Sequence, residues 1–267
     1  MTARKDRTRI DPMIEGPGGA PIDVNAELDA LAKRYRRAGG VGLQILNLVG
    51  DSAEGLIKRL PREIRSRLDQ TTEAAMSAAM RAASGSRRYV GDQPDWVNRI
   101  AATSMGAAGG LGGLPSALAE LPVTTTILLR TIQGVAVDYG FDPDSEGVQF
   151  DCIRVFAAAG PLAEDDGTDL AFFASRVTIT GGAVQGLIAR VAPRLATVLG
   201  QKLAAQTVPV LGAFAGALTN FAYTSYYQEM AHVHFRLRKL AIDADVPHED
   251  LIKDLQARVA KPRIRRA

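Results

Sequence analysis

Apolar and small residues recur at helical spacing along most of this chain, and strand-like alternation does not compete with that pattern. The longest helical stretch runs from Leu203 to Leu240. Residues Leu203 to Gln228 carry no charge, and the chain then turns polar with Glu229, His232, His234, Arg236, Arg238 and Lys239. Gly212, Gly216, Asn220 and Thr224 recur every fourth residue. On a helix that spacing makes one stripe of small side chains, where another backbone can come close. Phe214, Leu218 and Phe221 lie on the other side. The pattern predicts a long, closely packed helix ending in a polar collar.

The remaining chain reads as helices divided by Gly and Pro. Residues 1–21, rich in Pro, Gly and basic side chains, predict a disordered tail. A first helix is expected from Asp23 to Arg37, ended by Gly39-Gly40, with a short apolar helix after it to Leu60. Pro61 opens a helix to Ala83. Asp92 or Asp95 can cap the next, which runs from Pro94 into the uncharged run Ile100 to Ala119. That run has the length of a membrane span, but its five Gly and one Pro favour a close-packed helix–turn–helix or a shallow membrane-embedded hairpin. Pro122 predicts another helix, closed by Gly140, and Asp142 to Ser145 cap a short helix to Ala158. A long apolar region from Asp169 to Gly200 is broken at Pro193, and Arg176 to Thr180 within it is the nearest candidate for a strand. A final helix spans Pro247 to Val259, before a basic tail.

Charge is unevenly divided. The net +3 combines 17 basic and 13 acidic residues over 1–99, none over 100–119, 2 and 10 over 120–169, 7 and 1 over 170–240, and 6 and 5 over the rest. The basic segment can face anionic lipid or nucleic acid, or the acidic segment of the same molecule. One cysteine, Cys152, excludes an internal disulfide, fits a reducing compartment and reads as a buried small side chain. The N-terminus shows no apolar signal core, so a cytoplasmic protein is expected.

Two charges stand alone in apolar surroundings. Arg130 is the only basic residue between Arg99 and Arg154, and Glu229 the only acidic one between Asp169 and Asp243. An ion buried without a partner is costly. Arg130 is therefore expected to pair with Glu229, Asp138 or Asp151. His232 and His234, two residues apart on a helix, point away from each other and cannot share a metal ion. Glu229 with His232 supplies two ligands, short of a zinc set. No metal or other cofactor is expected. GGLGGLP at 109–115 lacks the Lys-Ser/Thr of a phosphate loop, and no nucleophile motif or nucleic-acid module is present. Tyr223, Tyr226 and Tyr227 sit where uncharged chain gives way to charge, as aromatics do at a bilayer interface, with Arg236, Arg238 and Lys239 next to them as head-group partners.

Three blocks, LPVTTTILLRTIQGVAVDYG at 121–140, FDCIRVFA at 150–157 and VPVLGAFAGALTNFAYTSYYQEMAHVHFRLRKL at 208–240, together resemble the EcsC family of bacterial proteins, over roughly residues 25–243. The family is named after a gene beside an ABC transporter pair linked to secretion and competence. The resemblance implies a helical domain with a connection to the cell envelope, and no established reaction. The fold expected is all-α: a single multi-helix domain with Gly/Ala-rich, closely packed helices over 22–243, disordered basic ends, and a C-terminal helix and tail over 244–267. The function expected is a non-enzymatic accessory or binding protein at the inner face of the cell membrane. Its expected partners are anionic lipid and a membrane transporter or another protein, with oligomers open and nucleic acid not expected. The alternative is a soluble, hydrolase-like helical enzyme with a polar site around Arg130, Glu229 and His232.

Overall fold

The computed structural model describes residues 13–15, 21–49, 60–65, 68–86, 93–111, 113–157, 183–206 and 212–260, with positions 58, 89 and 91 besides. These residues build an all-α domain with one small ladder. The helices are α1 (Val24–Val49), α2 (Arg62–Arg65), α3 (Leu68–Ser86), α4 (Asp95–Leu111), α5 (Gly113–Asp138), α6 (Glu146–Phe156), α7 (Ala183–Gln206), α8 (Gly212–Asp243) and α9 (His248–Ala260). Strands β1 (Met13–Glu15) and β2 (Pro21–Asp23) pair antiparallel, Met13 opposite Asp23 and Glu15 opposite Pro21. Residues 13–15 thus pair with the start of the domain from within the segment expected to be a tail. The Asp23 carboxylate then accepts from the backbone N–H groups of Asn25 and Ala26, each at 3.0 Å, and caps α1.

The organising element is α8, 32 residues or about 48 Å long. Between Thr219 and Leu240 only Phe221 is exposed. A helix covered on nearly all sides has no reason to be strongly amphipathic, and α8 places Tyr223, Tyr227, Val233 and Phe235 in the core beside buried Asn220, Thr224 and Gln228. Its small-residue stripe does what its spacing predicts. Gly216 lies against Gly106 of α4 so closely that a methyl on Gly106 would collide with the Gly216 carbonyl and come within 2.7 Å of the Asn220 amide. At that separation α8 side chains reach α4 backbone: Asn220 Nδ2 donates to the Ala102 carbonyl at 2.8 Å and Gln228 Nε2 to the Asp95 carbonyl at 3.0 Å.

These contacts also set directions. Gly106 meets Gly216, Ala102 meets Asn220, and Asp95 meets Gln228, so α4 runs antiparallel to α8. Thr124 stands 3.5 Å from Asn220, and Tyr139, just beyond α5, 3.1 Å from His232, so α5 runs parallel to α8. Arg34 meets Glu229 and Glu27 meets Arg236, so α1 is antiparallel.

Three expected boundaries move. Gly39-Gly40 does not end the first helix, because α1 continues to Val49. Two glycines cost a helix about 1 kcal/mol each, and packing along α8, with Tyr35 and Ala38 buried, outweighs that. Pro122 does not open a helix but lies inside α5, and Pro193 lies inside α7 rather than breaking it. The hydroxyl four residues on bonds the proline carbonyl in both, Thr126 to Pro122 at 2.8 Å and Thr197 to Pro193 at 3.2 Å. Other punctuation holds. Gly140, with φ of +81°, follows α5, and the Phe141 N–H returns to the Ala136 carbonyl at 3.0 Å. Ser145 caps α6. Within the uncharged run the described residues belong to α4, up to Leu111, and to α5, from Gly113. Cys152 is fully buried. The strand candidate Arg176 to Thr180 lies outside the described residues.

The close approach predicts opposite signs for two glycines. Gly106→Ala should destabilise the fold by about 1–3 kcal/mol, as overpacking does. Gly186→Ala, on an α7 position where an added Cβ meets nothing within 4 Å, should stabilise by about 0.4–1 kcal/mol. Chemical denaturation of both variants checks this, and equal midpoints would contradict the contact.

Candidate functional site

The charges expected as a collar form a belt on the C-terminal half of α8, with two faces. Glu229, His232 and Arg236, at helical positions 0, 3 and 7, form one face, and His234 and Arg238, four apart, form the other. The two histidines point apart, as their spacing predicts.

On the first face Glu229 Oε2 accepts from Arg34 at 3.2 Å. Arg236 grips Glu27 with two bonds, 2.9 Å from Nε and 2.7 Å from an Nη. That hydrogen bond raises the guanidinium pKa against the opposing effect of burial. His232 bridges two helix ends. Its Nε2 lies 3.2 Å from Asp95 Oδ2 at the start of α4, and its Nδ1 lies 3.1 Å from the Tyr139 hydroxyl. The hydrogen bond from His232 holds the Asp95 carboxyl below the usual range although partial burial opposes it. Burial pushes the Tyr139 phenol up.

On the second face Asp151 of α6 is nearly buried. Arg238 Nη1 donates to its Oδ2 at 2.6 Å, His234 Nε2 lies 3.2 Å from its Oδ1, and Arg154 stands 3.9 Å away. Burial alone would raise this carboxyl's pKa, but His234, Arg238 and Arg154 together hold it below the ordinary value. Phe141 lies under the Arg238 guanidinium, 4.5 Å from the ring centroid. His248, at the start of α9, stacks edge-on against His234, and burial followed by the neighbouring positive charge lowers its pKa to about 4. Lys239 closes the belt on Asp243, one turn along.

Several sequence-based expectations change here. Glu229 is not the partner of Arg130, and neither is Asp151. Glu229 pairs with Arg34, while Arg130 donates to Ser86 Oγ and to the Gly91 carbonyl at 2.8 Å, tying the end of α3 and the following linker to α5. Asp138 sits at the exposed end of α5. Arg130, Glu229 and His232 therefore do not converge on one pocket. Tyr223, Tyr226 and Tyr227 are core residues, at 0, 5 and 0 % exposure, and cannot stand at a bilayer interface. They are buried because α4, α5 and α6 close over that side of α8, Tyr227 packing 4.9 Å from Phe156. Arg236, Arg238 and Lys239 are committed to Glu27, Asp151 and Asp243. This is the reading in which the basic segment faces acidic parts of the same chain. Glu27, Arg34, Asp95, Tyr139, Arg154 and His248 had no local signal as belt members; the complementary charge of segments 120–169 and 170–240 was the one hint.

Among the described residues no three of His, Cys, Asp and Glu assemble as a metal-ligand set, and no helix is long and apolar enough to cross a membrane. A polar cleft of about 510 Å³ lies among α3, α6 and α7, lined by Arg81, Asp144, Gln149 and Gln185.

The fold and belt define an all-helical domain built around a central buried helix whose ionic contacts join α1, α4 and α6 to it. The protein belongs to the EcsC protein family, whose model matches residues 86–240. It is also similar to the uncharacterized protein YdbA of Bacillus subtilis (strain 168), 34% identical over 87 residues, which is 32% of this chain and 29% of that protein. The match thus spans under a third of that relative. No solved structure matches the chain.

The two faces predict unequal variants. Asp151→Asn removes the nearly buried carboxylate shared by Arg238, His234 and the buried Arg154 and should cost about 3–5 kcal/mol. Glu229→Gln, opposite an Arg34 whose side chain is 40% exposed, should cost under about 1 kcal/mol. Urea midpoints measured on both variants check the ratio, and a larger loss for Glu229→Gln would refute it.

Acid sensitivity should come in two stages. The folded state resists protonating His248, so stability should decline as pH falls from the ordinary histidine range towards 4. Asp151 and Asp95 have lowered folded pKa values, so their contribution is present above the unfolded carboxylate value and is lost as pH falls through the folded one. In urea titrations against pH, His248→Gln should remove the first stage and leave the second. An unchanged first stage in that variant would show that another group causes it.

Proposed function

We propose that this EcsC-family protein acts at the inner face of a cell membrane as a non-enzymatic binding or accessory component of an envelope process such as transport or secretion. One observation carries this reading: large apolar side chains stay exposed on neighbouring helices in charge-poor chain. Phe214 and Phe221 of α8 are 62 and 41 % exposed, Ile100 of α4 57 % and Val123 of α5 45 %. Large apolar side chains left exposed on charge-poor helix segments support an interaction surface there. The competing enzyme reading needs Arg130, Glu229 and His232 in one pocket, and each is tied elsewhere, to Ser86 and Gly91, to Arg34, and to Asp95 with Tyr139.

The basic collar takes little part in this reading. An anionic head group at Arg236 or Arg238 must displace Glu27 or Asp151, both already at hydrogen-bond distance. Flotation with phosphatidylcholine vesicles, and with vesicles also containing phosphatidylglycerol, at low and high salt, tests the function. The expected result is flotation with both lipids that high salt does not reverse. Absence of flotation in every condition would overturn the reading.

A further inference from the structure

The belt takes no part in the cleft of about 510 Å³ among α3, α6 and α7. That volume falls in the range of small-molecule sites, roughly 300–1,000 Å³. Ser77, Arg81, Ser84 and Gly85 stand at helical positions 0, 4, 7 and 8, so one face of α3 gives the cleft a wall, next to the face that buries Met76, Ala79 and Ala83. Gln185, in the first turn of α7, joins this wall, because the Ser77 hydroxyl donates to its Oε1 at 3.2 Å. The start of α6 and the turn before it give the other wall. There the Asp144 backbone N–H donates to Asp142 Oδ1 at 3.0 Å, and Gln149 Nε2 donates to the Asp144 carbonyl at 3.3 Å.

These bonds sort the remaining polar atoms by chemistry. Gln133 of α5, fully buried, donates from Nε2 to Ser84 Oγ at 3.2 Å. A hydroxyl whose oxygen accepts there keeps its own proton to donate. Gln185 accepts at Oε1 and keeps its Nε2 hydrogens, whereas Gln149 donates at Nε2 and keeps Oε1 as an acceptor. Among the described residues the Arg81 guanidinium and the Asp144 carboxylate pair neither with each other nor with another side chain, although both line the cleft. The wall of α3 and α7 thus presents donors and a positive charge, and the wall of α6 presents acceptors and a negative charge. A polyanion such as a phosphate ester would be repelled by Asp144, and a neutral sugar would leave both charges without a counter-charge. A ligand with one charge of each sign meets both. We propose that this cleft binds a small zwitterion, a free amino acid or a short peptide. Its carboxylate lies on Arg81, Ser84 and Gln185, and its ammonium on Asp144 and Gln149. Met80 and Val184, also in the lining, accommodate a small apolar side chain. The site does not depend on membrane association.

Isothermal titration of the full-length protein with L-alanine and with L-alanyl-L-alanine tests the site, and the tighter of the two says whether free amino acids or peptides are its source. Two further probes each delete one charge: N-acetyl-L-alanyl-L-alanine lacks the ammonium, and L-alanyl-L-alanine amide lacks the carboxylate. The zwitterionic dipeptide should bind about tenfold more tightly than either, the loss expected when a hydrogen bond to a charged group is removed. Arg81→Gln should weaken the dipeptide by about the same factor and leave binding of its amide unchanged. Asp144→Asn should weaken it likewise and leave binding of the N-acetyl form unchanged. Both side chains are exposed, so the helical circular dichroism of each variant should match that of the unaltered protein. In the unaltered protein, amide resonances of Ser84, Gly85 and Gln185 should shift on titration. Absence of heat and of resonance shifts with both zwitterions at millimolar concentration would overturn the proposal. Shifts confined to residues outside the cleft would overturn it too, as would equal binding of the charge-deleted forms.

Discussion

The contact between the backbones of α4 and α8 is the constraint on which the other features depend. Gly106 and Gly216 allow two helices to meet without side chains between them. Only at that distance do Asn220 and Gln228 reach carbonyls of α4. Those bonds satisfy polar groups that would otherwise be buried at a cost of about 1–3 kcal/mol each. They also fix register. With Asn220 on Ala102, Asp95 arrives beside His232, and the belt can form. A core assembled this way needs few aromatics, which agrees with their 6% share.

The belt and the exposed rings of α8 are two consequences of one arrangement. Burying the second half of α8 commits its charges to partners, because an unpaired ion there would be severely penalised. Glu27, Arg34, Asp95 and Asp151 supply those partners from three different helices. The first half of α8 carries no charge, so it can be left partly open, and Phe214 and Phe221 remain exposed. Along α8 itself, the second half is cross-linked by charges and the first half leaves apolar rings exposed. In the proposed function the belt holds the bundle together and the exposed apolar side chains meet the membrane.

The sequence by itself determined much of the fold. Periodicity placed the helices, the four-residue repeat of Gly212, Gly216, Asn220 and Thr224 identified the face of closest approach, and Gly140 and Ser145 marked real ends. These signals are local, carried by residues within a turn or two of one another. Local rules failed where packing outweighed them, at Gly39-Gly40, Pro122 and Pro193, where a helix continued through residues that disfavour it. Tertiary structure alone decided the partners. Glu229 was legible as a charge in need of an ion, but the choice of Arg34 over Arg130 depends on which helix lies 195 residues away in the chain and beside it in space. The tyrosines at 223, 226 and 227 have the spacing of interfacial aromatics, and only the closure of α4, α5 and α6 over them makes them core. A charge pattern is written along one dimension; which ends of which helices meet is set by their directions, and those follow from contacts between residues far apart in the chain.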